Sequence, residues 1–227
     1  NTLLDILNNE KPSHIAVVFD APEQTLREID YEAYKANRGE TPEDIKLAVP
    51  WIQKIIEGFR IPMLIAPGYE ADDVVGTLAK HAEAAGFQTY MMTSDKDYGQ
   101  LVSENIFMYK PGYQGGKAEI LGIEEVLAKF DIERIDQVTD LLGMMGDAVD
   151  NIPGIPGVGE KTASKLLKQF GSLENLLANT HELKGKQKEN VEQFREQAIM
   201  SKRLATILLD APVPFDEEQL RLKEMNR

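Results

Sequence analysis

Gly68-Tyr69-Glu70-Ala71-Asp72-Asp73 reads as the start of a helix with three carboxylates in its first turn. A strand-like run, Pro62 to Ala66, leads into it, and Val74, Leu78 and Ala82 follow on one face at helical spacing. Acids in a first turn suit the helix macrodipole, so capping is the plain reading. A metal nest is the sharper reading, and it requires further acids from elsewhere in the chain.

Working outward, Asn1 to Asn9 has the pattern of an amphipathic helix tail, with Leu3, Leu4, Ile6 and Leu7 apolar. Lys11-Pro12-Ser13 breaks it. His14 to Phe19 is a β-branched strand candidate. Asp20 sits at its carboxyl end, where open α/β sheets bind ligands. From 21 to 40 periodicity fails and polar residues are dense (Arg27, Tyr34, Lys35, Asn37, Arg38), which reads as a long, mobile, partly helical connection. Thr41-Pro42-Glu43-Asp44 opens the next helix, which runs to about Phe59 with Ile45, Val49, Ile52, Ile55 and Ile56 inward. The acidic helix runs from Glu70 to Ala85, and Gly86 ends it. Gln88 to Thr93 and Asn105 to Tyr109 are further strands, with Ser94-Asp95-Lys96-Asp97 closing the first of them. The alternation predicts an α/β fold, a mostly parallel sheet flanked by helices. Right-handed crossovers put its carboxyl ends on one edge, so Asp20, the Glu70 turn and the Asp95 pair are expected to share a crevice.

After residue 110 the character changes. Gly112 to Gly116 lacks the Gly-Lys-Ser/Thr of a P-loop and reads as a hairpin or loop. Helices are expected over Ile123–Phe130, Ile135–Met145, Lys161–Phe170, Leu173–Ala178 and a long stretch from about Gln187 to Leu208. Between them, Gly146-Asp147-Ala148-Val149-Asp150-Asn151 contributes two more acids. The expected division is an α/β core over 1–146, with a flexible connection near 21–41. An all-helical part follows over 147–215, and a charged linker over 216–227.

The chain has 227 residues, no cysteine and a net charge of −13. Absence of cysteine removes thiolate metal sites and disulfides and suits a reducing compartment. No apolar run reaches membrane-spanning length. The negative charge argues against a nucleic-acid partner unless the acids are clustered to hold cations. The acids singled out are Asp20, Glu70, Asp72, Asp73, Asp95, Asp97, Asp147 and Asp150. Such a set cannot stay ionised in one crevice without cations, because like charges raise pKa values. Oxygen-only donors suit Mg²⁺ or Mn²⁺, and a set this large implies two or more ions. Paired ions serve in-line phosphoryl displacement. A second motif, Ile152 to Ala163, is a Gly/Pro turn opening into a helix. Gly157, Val158, Gly159, Lys161, Thr162 and Lys165 there read either as a phosphate cradle or as a plain connector. The motif carries no base-reading side chains, so a DNA contact there positions without specifying.

Val17-Val18-Phe19-Asp20, Tyr34-Lys35-Ala36-Asn37-Arg38, Gly68 to Asp73, Asp95-Lys96-Asp97, Gly146 to Asn151 and the Gly157-Val158-Gly159 turn together resemble the 5′-nuclease domain of bacterial DNA polymerase I. That family is similar in turn to the phage and eukaryotic flap endonucleases. The resemblance covers nearly the whole chain. It implies a PIN-like nuclease core with a helix-hairpin-helix subdomain. The implied activity is a metal-dependent 5′→3′ exonuclease and flap endonuclease that removes RNA primers and displaced strands in the bacterial cytoplasm, at the nucleoid. It assigns the acids above to divalent ions. Lys35 and Arg38 fall in a flexible arch that clamps the scissile phosphate, and the glycine hairpin grips duplex DNA, often with K⁺. Implied partners are DNA with a 5′ flap or nick, RNA primer–DNA hybrids, and the polymerase domains of the same chain. The family also has a first strand carrying another metal-binding Asp, which this sequence lacks, so it reads as a fragment.

Two rivals follow. A DNA-junction binding module, catalytically silent without that Asp, is the alternative. A haloacid-dehalogenase-type nucleophile at Asp20 needs a second Asp two residues on, where Pro22 stands.

Overall fold

In the computed structural model, which describes residues 2–112 and 117–224, the chain forms two units. Most of the Gly-rich stretch read as a hairpin lies outside the described residues. The first unit takes Asn1–Leu26, Gly39–Ala82 and Leu208–Arg227, and the second takes Arg27–Arg38 and Glu83–Ile207.

In the first unit the predicted strands are real but short. β1 (Val17–Val18) and β2 (Met63–Leu64) pair in parallel, Val17 opposite Met63. The rest of the first β-branched run finds other partners: Phe19 N–H donates to Leu64 O and Ile15 N–H to Leu220 O. The helices here are α1 (Thr2–Asp5), continued by a π-helical turn at Ile6–Glu10, α3 (Glu43–Gly58), most of α4 (Ala71–Ala84), and α11 (Glu217–Leu220). A small core gathers Ala66, Val74, Ala211 and Val213, with Val18, Leu64, Tyr69 and Leu78 packed against it. The segment after residue 208 is strapped along α4. Leu208 N–H donates to Asp73 Oδ1 at 2.8 Å and Ala211 N–H to Thr77 Oγ1 at 3.1 Å. These bonds satisfy two side chains that are almost fully buried.

Two features of this unit go beyond the residue pattern. In the stretch read as a linker from 216, α11 buries Leu220, and Leu222 N–H donates to Ser13 O. One apolar residue is enough to dock a charged stretch whose backbone also finds partners. In α3, only Ile56 of the predicted inward face is buried, and Val49 is half-buried. Ile45, Ile52 and Ile55 are 52%, 45% and 56% exposed. Periodicity located the helix but not its covered face, because Leu47 and Trp51 interrupt the stripe and are exposed with it.

In the second unit, β3 (Thr89–Met92) pairs in parallel with β4 (Ile106–Lys110), and β4 pairs antiparallel with β5 (Glu119–Leu121). The antiparallel β5 was not expected; three residues carry too little alternation to register as a strand. Helices are α2 (Leu26–Asp30), α5 (Ile123–Phe130), α6 (Gln137–Met145), α7 (Glu160–Phe170), α8 (Leu173–Ala178), α9 (Gly185–Gln193) and α10 (Arg195–Ala205). The single long helix expected near the C-terminus is thus two, divided at Phe194. α6 is the hub, packing against α10, α7 and α8. Its Val138, Leu141, Leu142 and Met144 are essentially fully buried. At Gly143 the backbones come so close that an added Cβ would lie 2.6 Å from Lys202 Cβ. The expected mobile connection differs too: Tyr34 and Arg27 are buried. Arg27 donates to the carbonyls of Leu204 and Thr206, closing the end of α10.

Lys202 on α10 pairs with Asp140 on α6 and Glu174 at the start of α8, clamping three helices. Burial raises the Asp140 pKa, a shift that Lys202 opposes by hydrogen bond and charge. Removing the cation alone therefore strands a buried carboxylate. Lys202→Met is expected to cost about 2 kcal/mol by urea denaturation, discounted from a fully buried pair because Lys202 keeps some water contact. Adding Asp140→Leu is expected to recover most of that loss.

Candidate metal centre and nucleic-acid surface

The acidic residues fall into two sets, one in each unit. In the first unit, Asp20 follows β1 and its Oδ1 accepts from Ala71 N–H at 2.8 Å, at the N-terminus of α4. Asp73 Oδ2 accepts from Glu70 N–H at 3.0 Å, and its Oδ1 takes Leu208 N–H. Asp73 is wholly buried, so its carboxylate acts first as a helix cap and strap. Glu70 is also buried, while Asp72 is half-buried and Asp20 exposed. Asp73 is thus the member of this set most deeply built into the fold.

In the second unit, Asp95 caps the 3-10 turn Lys96–Leu101, its Oδ1 accepting from Asp97 N–H at 3.0 Å. Lys96 lies between them and bonds Asp147, with Asp97 Oδ1 at 3.4 Å. Burial pushes Asp97 up to about 6, against the lowering charge of Lys96 and with help from the charges of Asp95 and Asp147. Asp97 Oδ1 is buried and accepts no hydrogen bond of good geometry. Asp147 goes the other way: burial raises it, but the Lys96 bond and charge and the Val149 and Asp150 N–H groups outweigh burial and lower its pKa. Burial likewise pulls Lys96 down, and its two carboxylate partners more than reverse that.

Asp147 and Asp150 sit on a loop closed by two glycines. Gly146 (φ +71) and Gly154 (φ +61) lie back to back, where a Cβ on either would come within 2.4 Å of the other's neighbourhood. The loop is tied by Asp147 N–H to Ile152 O at 2.8 Å and Ile152 N–H to Asp147 O at 2.7 Å. Residues 33–38 dock on it: Lys35 N–H donates to Asp150 O, Asn37 Nδ2 to Ala148 O and Asn151 Nδ2 to Ala33 O. Lys35 and Arg38 both ion-pair with the Asp150 carboxylate. Sequence reading picked out both cations but missed Lys96, Asn37 and Asn151 as fasteners. The Asp-Lys-Asp alternation was the available signal for Lys96.

Among the described residues no group of three or more acidic or imidazole side chains stands ready to hold an ion. Of the second set, Asp97 and Asp147 pair with Lys96, and Asp150 with Lys35 and Arg38. The fit of this set to a divalent cation is nevertheless good. Its donors are all oxygen, and the buried, unsatisfied Asp97 Oδ1 with a raised pKa is what a hard cation would satisfy.

The glycine turn leads straight into α7. Val158 is buried, Gly157 has φ +82, and Gly159 N-caps the helix, its carbonyl accepting from Thr162 and Ala163. Lys161 and Lys165 are exposed on the first turns, and Thr162 is half-buried. Asn190 of α9 fastens the turn through Pro156 O at 2.7 Å.

Protonated Asp97 favours the folded state at low pH, and that contribution is lost as pH rises from about 3.8 to about 6. In EDTA, wild type is therefore expected to lose about 2 kcal/mol relative to Asp97→Asn between pH 4 and 7, read from paired urea melts.

No described helix is long and apolar enough to cross a membrane. Residues 1–131 match the 5′-3′ exonuclease N-terminal resolvase-like domain, and 134–227 match the 5′-3′ exonuclease C-terminal SAM fold. The chain is 42% identical to DNA polymerase I of Bacillus subtilis over 99% of its own length and 26% of that protein's. It thus spans about a quarter of that relative. It is 39% identical to the 5′-3′ exonuclease of Aquifex aeolicus, over 97% of this chain and 74% of that one. Its fold is that of the bacteriophage T5 D15 flap endonuclease, solved with DNA and metal ions. That likeness has a TM-score of 0.75 at 18% identity and covers 90% of this chain and 78% of the other. The chain belongs to the 5′-3′ exonuclease family.

Proposed function

We propose that the chain is a divalent-metal-dependent 5′-nuclease. It hydrolyses phosphodiesters at the 5′ ends and flaps of DNA, and removes RNA primers and displaced strands beside a polymerase on the same chain. The observation that carries the reading is the cluster of Asp95, Asp97 and Asp147 after β3, with an unsatisfied buried carboxylate oxygen, in a member of the 5′-3′ exonuclease family. The carboxylates of this set, with Asp20, Glu70 and Asp72, are the groups we assign to Mg²⁺ or Mn²⁺, two or more ions in all. Such ions supply charge stabilisation to a phosphoryl group and acidify water.

The chain's own residues do the rest. Lys35 and Arg38 neutralise Asp150 here, and a phosphate offers them a competing anion; they hold the scissile group and its developing charge. Lys96 keeps Asp147 ionised and in place. The turn at Gly157, Val158 and Gly159, with Lys161, Thr162 and Lys165, grips the duplex backbone without reading bases, and K⁺ at its carbonyls suits that role. A nicked or 5′-flapped duplex satisfies both surfaces. A second reading, a DNA-junction binder without catalysis, is favoured by one observation: Asp97, Asp147 and Asp150 of the second set are already paired with lysine and arginine.

Asp95→Ala is expected to abolish Mg²⁺-dependent cleavage of a 5′-flap substrate while leaving binding largely intact. Millimolar Mg²⁺ is expected to raise the melting temperature of wild type and not that of the variant. Binding without cleavage by wild type would select the second reading.

A further inference from the structure

A cavity of about 560 Å³ opens in the second unit at the carboxyl end of β3. Met92, Thr93, Ser94, Lys110, Lys117 and Glu119 are among its lining residues. Its position follows from sheet register, because Thr93 N–H donates to Tyr109 O, which places the end of β3 beside Lys110 of β4. Ser94 is followed directly by Asp95, so the cavity and the acidic cluster share one strand end.

The wall has unusual charge for a chain of net −13. Lys110 faces Glu119 across the β4–β5 ladder at 3.8 Å, a loose pair with a largely exposed carboxylate. A further lysine, Lys129 of α5, lies close enough to Lys110 to be affected by it. Burial lowers the Lys129 pKa and the Lys110 charge lowers it further, while Glu119 and Glu160 oppose that shift. At the cavity wall itself, Lys110 and exposed Lys117 set two cations against Glu119, whose carboxylate is held only loosely by Lys110. Hydroxyls complete the set. Thr93 Oγ1 already accepts from Asp95 N–H at 3.0 Å, which leaves its own proton to donate.

We propose that this cavity is a phosphate subsite, in which Lys110 and Lys117, aided by the Thr93 and Ser94 hydroxyls, take a backbone phosphate of the bound nucleic-acid strand next to the one presented to Asp95 and Asp97. The proposal rests on the nuclease reading and sharpens it. The acids repel a polyanion, and a cationic pocket on the same strand end gives the strand a fixed register beside them. Lysine suits the task, since a point charge holds phosphate without dictating sequence.

The test is the salt dependence of binding for the intact chain, in EDTA, with a fluorescent 5′-overhang duplex. Each neutralised phosphate on a single strand contributes about 0.7 to the slope of log K against log salt. Lys110→Gln/Lys117→Gln is expected to flatten that slope by about 0.7, so the affinity lost between 50 and 200 mM salt shrinks about 2.6-fold. Lys110→Arg/Lys117→Arg is expected to restore it. Lys161→Gln, on the separate glycine-turn surface, serves as the internal reference. An unchanged slope in the Gln pair, with a flattened one in Lys161→Gln, overturns the subsite and leaves the nuclease reading standing. Absence of salt-dependent binding by wild type, together with absence of cleavage in Mg²⁺, overturns both.

Discussion

The close approach of Gly146 and Gly154 is the constraint on which the second unit's acidic site depends. Their backbones meet where no side chain has room, and both occupy positive φ, so the contact excludes other residues twice over. Closing the loop there leaves Asp147 and Ile152 to exchange two backbone bonds. Asp147 can then spend Oδ1 on Val149 N–H while its other oxygen meets Lys96. The loop is held from behind as well: Gly154 N–H donates to Ser201 Oγ, and Gln197 donates to Gly154 O. Both partners lie on α10, the helix that also packs against α6 at Gly143. Core packing thus reaches the carboxylates through a short chain of contacts, with no flexible residue between.

The electrostatics of the two acidic sets differ in kind. In the first unit, Asp20 and Asp73 accept hydrogen bonds from backbone N–H groups at the start of α4, which are part of the fold. In the second, Asp147, Asp150 and Asp97 are balanced by side chains of Lys96, Lys35 and Arg38, which can swing away. A cation arriving at the second set competes with lysine and arginine. Those released side chains then become available to an anion. On the proposed reading, cation capture and phosphate capture are coupled through this charge balance, at a site where burial already raises the pKa of Asp97.

Much of this was legible from residue patterns because local chemistry decided it. The helix after Gly122 and the helix after Ser172 fall where periodicity and caps put them. Glu125 reaches back to Gly122 N–H, and Ser172 accepts from Asn175 N–H. What was illegible depended on partners far away in sequence. The stripe on α3 looked like a core face because periodicity reports what could be buried, not what is. Buried Tyr34 looked like part of a mobile connection because the backbone on both sides of it is docked by residues over a hundred positions later, Ala33 O by Asn151 and Lys35 N–H by Asp150 O. Strand lengths were overestimated for the same reason: His14 to Phe19 has the propensity of one strand, but its backbone is shared between β2 and the segment near Leu220.

The Glu70-Ala71-Asp72-Asp73 turn shows why capping and metal binding should not be weighed as rivals. One carboxylate, Asp73, is sunk into the fold and fixes both the start of α4 and the strap at Leu208. A second, Asp20, arrives from β1 and is held by the same helix end through Ala71 N–H. Both carboxylates thus tie the chain on either side of Glu70 and Asp72 into the fold. On the proposed reading, capping by Asp73 and cation binding at the same helix start are two parts of one arrangement, in a chain with thirteen more acidic than basic groups.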